Sequence, residues 1–125
     1  MGKLGKAAEE AARAAKAAKA GASWTRALPT TAEAADLIRG ATPVGSALKS
    51  DALHRAASFA VDGVAQNGSV FRHVGGDGVE RVLIQAPGEV NGVTGRFEWL
   101  VDGAGNLTHQ MFVRGGTING VLIKP

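Results

Sequence analysis

The stretch Gly95-Arg96-Phe97-Glu98-Trp99-Leu100-Val101-Asp102-Gly103-Ala104-Gly105-Asn106-Leu107-Thr108-His109-Gln110-Met111-Phe112-Val113 decides the fold class. Two runs rich in Val, Leu, Phe and Trp flank a segment of Asp, Gly, Ala and Asn, which is the pattern of two strands joined by a turn. Successive side chains of a strand point to opposite faces, so Arg96 and Glu98 share one face and Phe97, Trp99 and Val101 the other.

Working outward, the same chemistry recurs in Ser69 to Val74 and Val79 to Ala86, and again in Thr117 to Ile123, giving four or five strands. Gly75-Gly76-Asp77-Gly78, the segment from Pro87 to Gly92, Asp102 to Asn106 and Gly115-Gly116 are the connections. Connections this short favour an antiparallel meander. Upstream the pattern turns helical. Leu28-Pro29-Thr30-Thr31-Ala32-Glu33 reads as a Thr-capped helix start, predicting a helix from about Thr31 to Arg39, stopped by Gly40 and Pro43. A second helix is predicted from Ser50 or Asp51 to Gln66-Asn67-Gly68, with Leu53, Ala57, Ala60 and Val64 inward and Ser50, His54 and Ser58 on the opposite face.

Residues 3 to 20 have helical composition but no apolar stripe, since Leu4 is their only large aliphatic residue. The expected organisation is therefore an alanine- and lysine-rich lead-in or linker, residues 1–22, and one α+β domain, residues 23–125, with helices packed on an antiparallel sheet. The charged start is followed by alternating Ala, Lys and Glu, so neither a signal peptide nor a membrane span is expected. With no cysteine in 125 residues, disulfides and thiolate metal sites are excluded. A formal charge of +3 favours a polyanionic partner or an acidic protein, although several of the positive charges sit in the N-terminal tail.

Groups that titrate near neutrality are few: His54, His73 and His109, with no tyrosine. No histidine pair has metal-ligand spacing and no phosphate loop ends in Gly-Lys-Ser or Gly-Lys-Thr, so neither a metal nor another cofactor is expected. His109 lies inside an expected central strand, where it needs a partner, whether a backbone carbonyl or a functional group. If Val101 pairs with Leu107, His109 falls beside Trp99. If Asp102 pairs with Leu107, then His109, Glu98 and Met111 line one face. His54 and Arg55, close after Lys49, either complete a cationic site or belong to a solvated helix face, and His73 flanks a glycine-rich turn. These residue types suffice for RNA cleavage without a metal: Glu98 or a histidine as base, His109 or His54 as acid, and Arg96, Arg114, Lys49 or Arg55 as the phosphate clamp.

The segments Gly45 to Ala57, Gly75 to Gly78, Asn91 to Val101, Thr108 to Phe112 and Gly115 to Gly120 together resemble the C-terminal toxin domains of bacterial polymorphic and contact-dependent growth inhibition systems. The resemblance implies a helix-then-sheet nuclease of the barnase, EndoU, colicin and RelE-like superfamily, acting on RNA, with tRNA among its substrates. It implies a cognate immunity protein as partner, delivery as part of a larger secreted or surface-displayed bacterial protein, and action in the target-cell cytoplasm. It carries His54, Arg55 and His109 over as site residues, with Glu98 and Thr108 as neighbours, and Thr108 and Gln110 are expected among the substrate-binding residues. The chain departs from the pattern at its end, where Val121-Leu122-Ile123-Lys124-Pro125 replaces a Pro-Asn turn after Gly120. A non-catalytic RNA- or protein-binding module is the alternative reading. A metal-dependent DNase has the least support, because no His/Asp constellation is visible.

Overall fold

The computed structural model describes residues 27–123. The lead-in segment, the boundary expected at residues 22 and 23, and Trp24 lie outside the described residues. Among the described residues the fold is α+β, with three α-helices and a five-stranded mixed sheet.

Helix α1, Thr31–Gly40, forms where the Thr cap predicts it. Thr30 Oγ1 accepts from Glu33 N at 3.2 Å and Thr30 N donates to Glu33 Oε1 at 2.8 Å, a reciprocal capping box that satisfies two otherwise unpaired donors. The helix buries Ala34, Ala35, Leu37 and Ile38.

The single helix expected over residues 50–67 is broken. Helix α2 spans Ala52–Ser58, a 3-10 turn covers Val61–Gly63, and α3 spans Val64–Asn67. Val61-Asp62-Gly63 are weak helix formers, being β-branched, short and polar, and glycine in turn. The inward face also differs from the periodicity: α2 buries His54 and Ala57, and leaves Leu53 half-exposed.

The strands are β1 (Thr42–Pro43), β2 (Ser69–Val74), β3 (Glu80–Val90), β4 (Val93–Asp102) and β5 (Asn106–Arg114), in spatial order β1-β5-β4-β3-β2. Strands β2 to β5 form the expected antiparallel meander. The fifth strand is not 117–123. It is β1, which runs parallel to β5 with Thr42 opposite Asn106 and Pro43 opposite Leu107, so the sheet is mixed. Strand β3 also continues through Pro87 and Gly88 to a two-residue hairpin at Asn91-Gly92, both at positive φ (51° and 81°) as such a turn requires. Proline fits there because β2 pairs only with residues 80–85, so the rest of β3 has one neighbour.

The main core lies on one side of the sheet, where the buried side chains of α1, Ala57 and Val64 meet Val82, Ile84, Ala86, Trp99, Val101 and Leu107. The other side is also closed. It carries Leu83, Gln85, Arg96, Glu98, Leu100 and His109, all buried. The C-terminal segment 117–123 lies over it and is tied down by side chains rather than by a strand ladder.

Candidate functional site

The placement of His109 turns on one extra residue. Val101 pairs with Leu107, the register that alone sets His109 beside Trp99, yet Leu100 pairs with His109. Thr108 is therefore a β-bulge, two residues on β5 opposing one on β4, and the bulge moves His109 to the Glu98 face. Gln110 takes the place opposite Trp99.

The result is a continuous buried polar network. His109 Nε2 lies 2.9 Å from Glu98 Oε2, and Arg96 Nε donates to Glu98 Oε1 at 2.7 Å. Gln85 Nε2 donates to Oε1 at 3.3 Å and the Ile123 amide to Oε2 at 3.2 Å. Glu98 has no exposed surface and His109 is 2% exposed. Burial pushes the Glu98 carboxyl upward, but hydrogen bonds and charge from His109 and Arg96 outweigh it and hold the group below its ordinary value. An ionised Glu98 only accepts, so His109 Nε2 carries a proton. On the far side of the ring, Nδ1 is 3.2 Å from Ser46 Oγ, which also donates to Thr108 O at 3.1 Å.

Each of the three nitrogens of the Arg96 guanidinium donates a hydrogen bond. Besides Glu98 it donates from Nη1 to Thr117 O and from Nη2 to Val121 O, both at 3.1 Å, so it grips the C-terminal segment and not a solvent-facing phosphate.

His54 reaches the network from α2. Its ring meets that of His109 edge-on, with centroids 6.3 Å apart. Nδ1 is 2.6 Å from Asp51 Oδ2, an ion-pair distance without hydrogen-bond alignment. The His54 ring, followed by its backbone N–H, holds Asp51 below the usual carboxylate range. His54 Nε2 is buried and has no hydrogen-bond partner among the described residues. An orphaned buried nitrogen costs about 1–3 kcal/mol, which marks a position where a ligand or water is wanted.

The structure thus unites His54, His109, Glu98 and Arg96 from the residues singled out in the sequence. Thr108 is the bulge and donates to Leu100 O, while Gln110 Nε2 donates to Ala47 O at 3.1 Å. Lys49, Arg55 and Arg114 are exposed and form no ion pair among the described residues. His73 is on β2, separated from β5 by two strands. Sequence reasoning missed Ser46, Asp51 and Gln85. Asp51 is legible as the cap three residues before His54, but nothing local marks Ser46 or Gln85, whose partners lie far along the chain. Among the described residues no group of three or more His, Cys, Asp or Glu side chains is placed to hold a metal ion. No helix there is long and apolar enough to cross a membrane.

No protein-family model, curated protein or solved structure matches the chain.

Proposed function

We propose that this domain is a ribonuclease toxin of the polymorphic or contact-dependent inhibition type, with a barnase/EndoU/RelE-like nuclease fold, cleaving RNA without a metal by 2′-hydroxyl attack. The observation that carries the reading is His54: Nδ1 faces Asp51, Nε2 is unpartnered, and the ring touches that of His109. Asp51 favours the tautomer with the proton on Nδ1, which leaves Nε2 as the acceptor for the 2′-hydroxyl proton. The 2′-oxygen attacks phosphorus and the 5′-oxygen departs, leaving a 2′,3′-cyclic phosphate. In its imidazolium form His109, oriented by Glu98, passes its Nδ1 proton to Ser46 Oγ as the half-buried Ser46 hydroxyl turns from Thr108 O and gives its own proton to the departing oxygen. Glu98 and Arg96 act as positioning residues, and Lys49, Arg55 and Arg114 are the cations without an ion pair among the described residues that can meet phosphate. The toxin reading includes tRNA as a substrate, a cognate immunity protein as partner and action in the cytoplasm of a target cell.

One observation favours a second reading, a non-catalytic RNA- or protein-binding module. Glu98, Arg96 and His109 are enclosed, and their hydrogen bonds hold the C-terminal segment. Incubation with total bacterial RNA in excess chelator decides between the two. The ribonuclease reading expects discrete fragments with cyclic phosphate ends, lost in His54→Ala and His109→Ala. Intact RNA that is nonetheless bound assigns the chain to the second reading.

A further inference from the structure

One helical turn beyond His54 the chain opens a cavity of about 460 Å³ between α1, β1, the end of α2 and β5. Leu107 and Ile38 give it an apolar wall, and Ser58, Gln110 and the Arg39–Asp62 ion pair give it polar ones. Its size lies within the range of small-molecule sites.

Phe59 lines this cavity and is 79% exposed, the most exposed of the large hydrophobic residues among those described. It is the C-cap of α2, with φ −95° and ψ −3°, and its amide donates to the Ala56 and Ala57 carbonyls. The break in the helix therefore presents the ring to solvent, where it gains nothing from the core. An exposed aromatic face suits a flat ligand that stacks.

Gln110 supplies the second feature. Its Nε2 donates to Ala47 O at 3.1 Å, and since a carbonyl can only accept, this bond fixes which way round the amide lies. Oε1 then remains an oriented acceptor with no partner among the described residues. Such an acceptor reads a donor on the ligand's edge.

Position supplies the third. Ser58 follows His54 at i+4, where side chains lie about 5–6 Å apart on one helix face. Gln110, next to His109 on β5, points to the opposite face of the sheet, across from Trp99. The α2 face thus runs from the cavity at Ser58 to His54.

We infer that this cavity is a nucleobase subsite, in which Phe59 stacks the base and Gln110 Oε1 selects bases with an exocyclic amino group. The inference rests on the ribonuclease reading for the identity of its ligand. Its test is direct binding of AMP, CMP and UMP to the full chain, followed by calorimetry or amide chemical shifts, beside RNA cleavage. Phe59 is exposed, so Phe59→Ala leaves the fold intact, which circular dichroism verifies.

The expected result is tighter binding of CMP and AMP than of UMP, about tenfold weaker binding in Phe59→Ala, and rescue in Phe59→Trp. Equal binding by wild type and Phe59→Ala, or no binding of any nucleotide, overturns the subsite. Equal affinity for CMP and UMP overturns the role of Gln110. Nucleotide binding that depends on Phe59 without RNA cleavage keeps the subsite and removes the ribonuclease reading. Cleavage with no effect of Phe59→Ala on binding or rate does the reverse.

Discussion

Glu98 is a carboxylate without exposed surface, and its four hydrogen-bonded donors explain how it stays ionised there. Because its folded pKa is depressed, the folded state binds a proton less readily than the unfolded chain, whose glutamate titrates near about 4.3. The stabilisation is fully present above that value and is lost as pH falls through the folded one. Glu98→Gln removes this limb, so its stability falls less steeply than that of the wild type as pH drops below about 4. At neutral pH it leaves Arg96 and His109 facing an uncharged amide, and breaking such a buried pair costs about 3–5 kcal/mol. Urea unfolding at pH 7 and pH 3.5 measures both effects. Equal pH slopes in the two proteins would show that other carboxylates, such as exposed Asp51 and Asp77, govern the acid limb. That Arg96 and Glu98 share a face was legible from strand alternation. That His109 joins them was not, because it depends on the Thr108 bulge, and a bulge changes faces without changing the hydrophobic pattern.

At the scale of the element, the C-terminal segment is held by single side chains reaching out of the sheet. Gln85 Oε1 accepts from the Asn119 and Gly120 amides, both at 3.0 Å, and Gln85 Nε2 donates to Val121 O at 3.2 Å. Gln85→Ala therefore releases the segment locally. Amide hydrogen exchange at Asn119 and Gly120 is expected to quicken by about tenfold or more, while the paired interior of β3 and β4 keeps its protection. Unchanged exchange at the two amides would mean that Arg96 and Glu98 suffice to hold the segment. This arrangement also explains why the segment reads as a strand in the sequence. Ile118, Val121 and Ile123 have strand composition, but Gly120 takes φ 70° with its bare Cα against the Phe71 ring, which breaks a ladder. The actual fifth strand, two residues ending in proline, is too short for any pattern to mark. Gly88 offers a separate check within β3. A Cβ there would overlap the Phe97 ring, so Gly88→Ala is expected to destabilise by about 1–3 kcal/mol, read as a lower melting temperature.

At the scale of the whole molecule, the net charge of +3 conceals a division that bears on RNA. Residues 1–26 hold six Lys and Arg against two Glu, whereas residues 27–123 hold seven against nine Asp and Glu. The described domain is thus net negative, and Arg39, Arg72, Arg81 and Arg96 are already paired with acids. Only Lys49, Arg55 and Arg114 remain there without an ion pair among the described residues. On the proposed ribonuclease reading, attraction for RNA therefore belongs mainly to residues 1–26, and orientation of a phosphate to the three cations of the domain. Replacing Lys3, Lys6, Arg13, Lys16, Lys19 and Arg26 with Gln in the intact chain separates the two contributions. Each lost contact to single-stranded RNA reduces the slope of log affinity against log salt by about 0.7, so both affinity and salt dependence are expected to fall. Turnover at saturating RNA is expected to persist, because the proposed acid–base groups are all in the domain. Binding curves at several salt concentrations, with cleavage measured in parallel, test this. An unchanged slope would place the phosphate contacts on Lys49, Arg55 and Arg114, and a loss of turnover at saturation would bring residues 1–26 into the site itself.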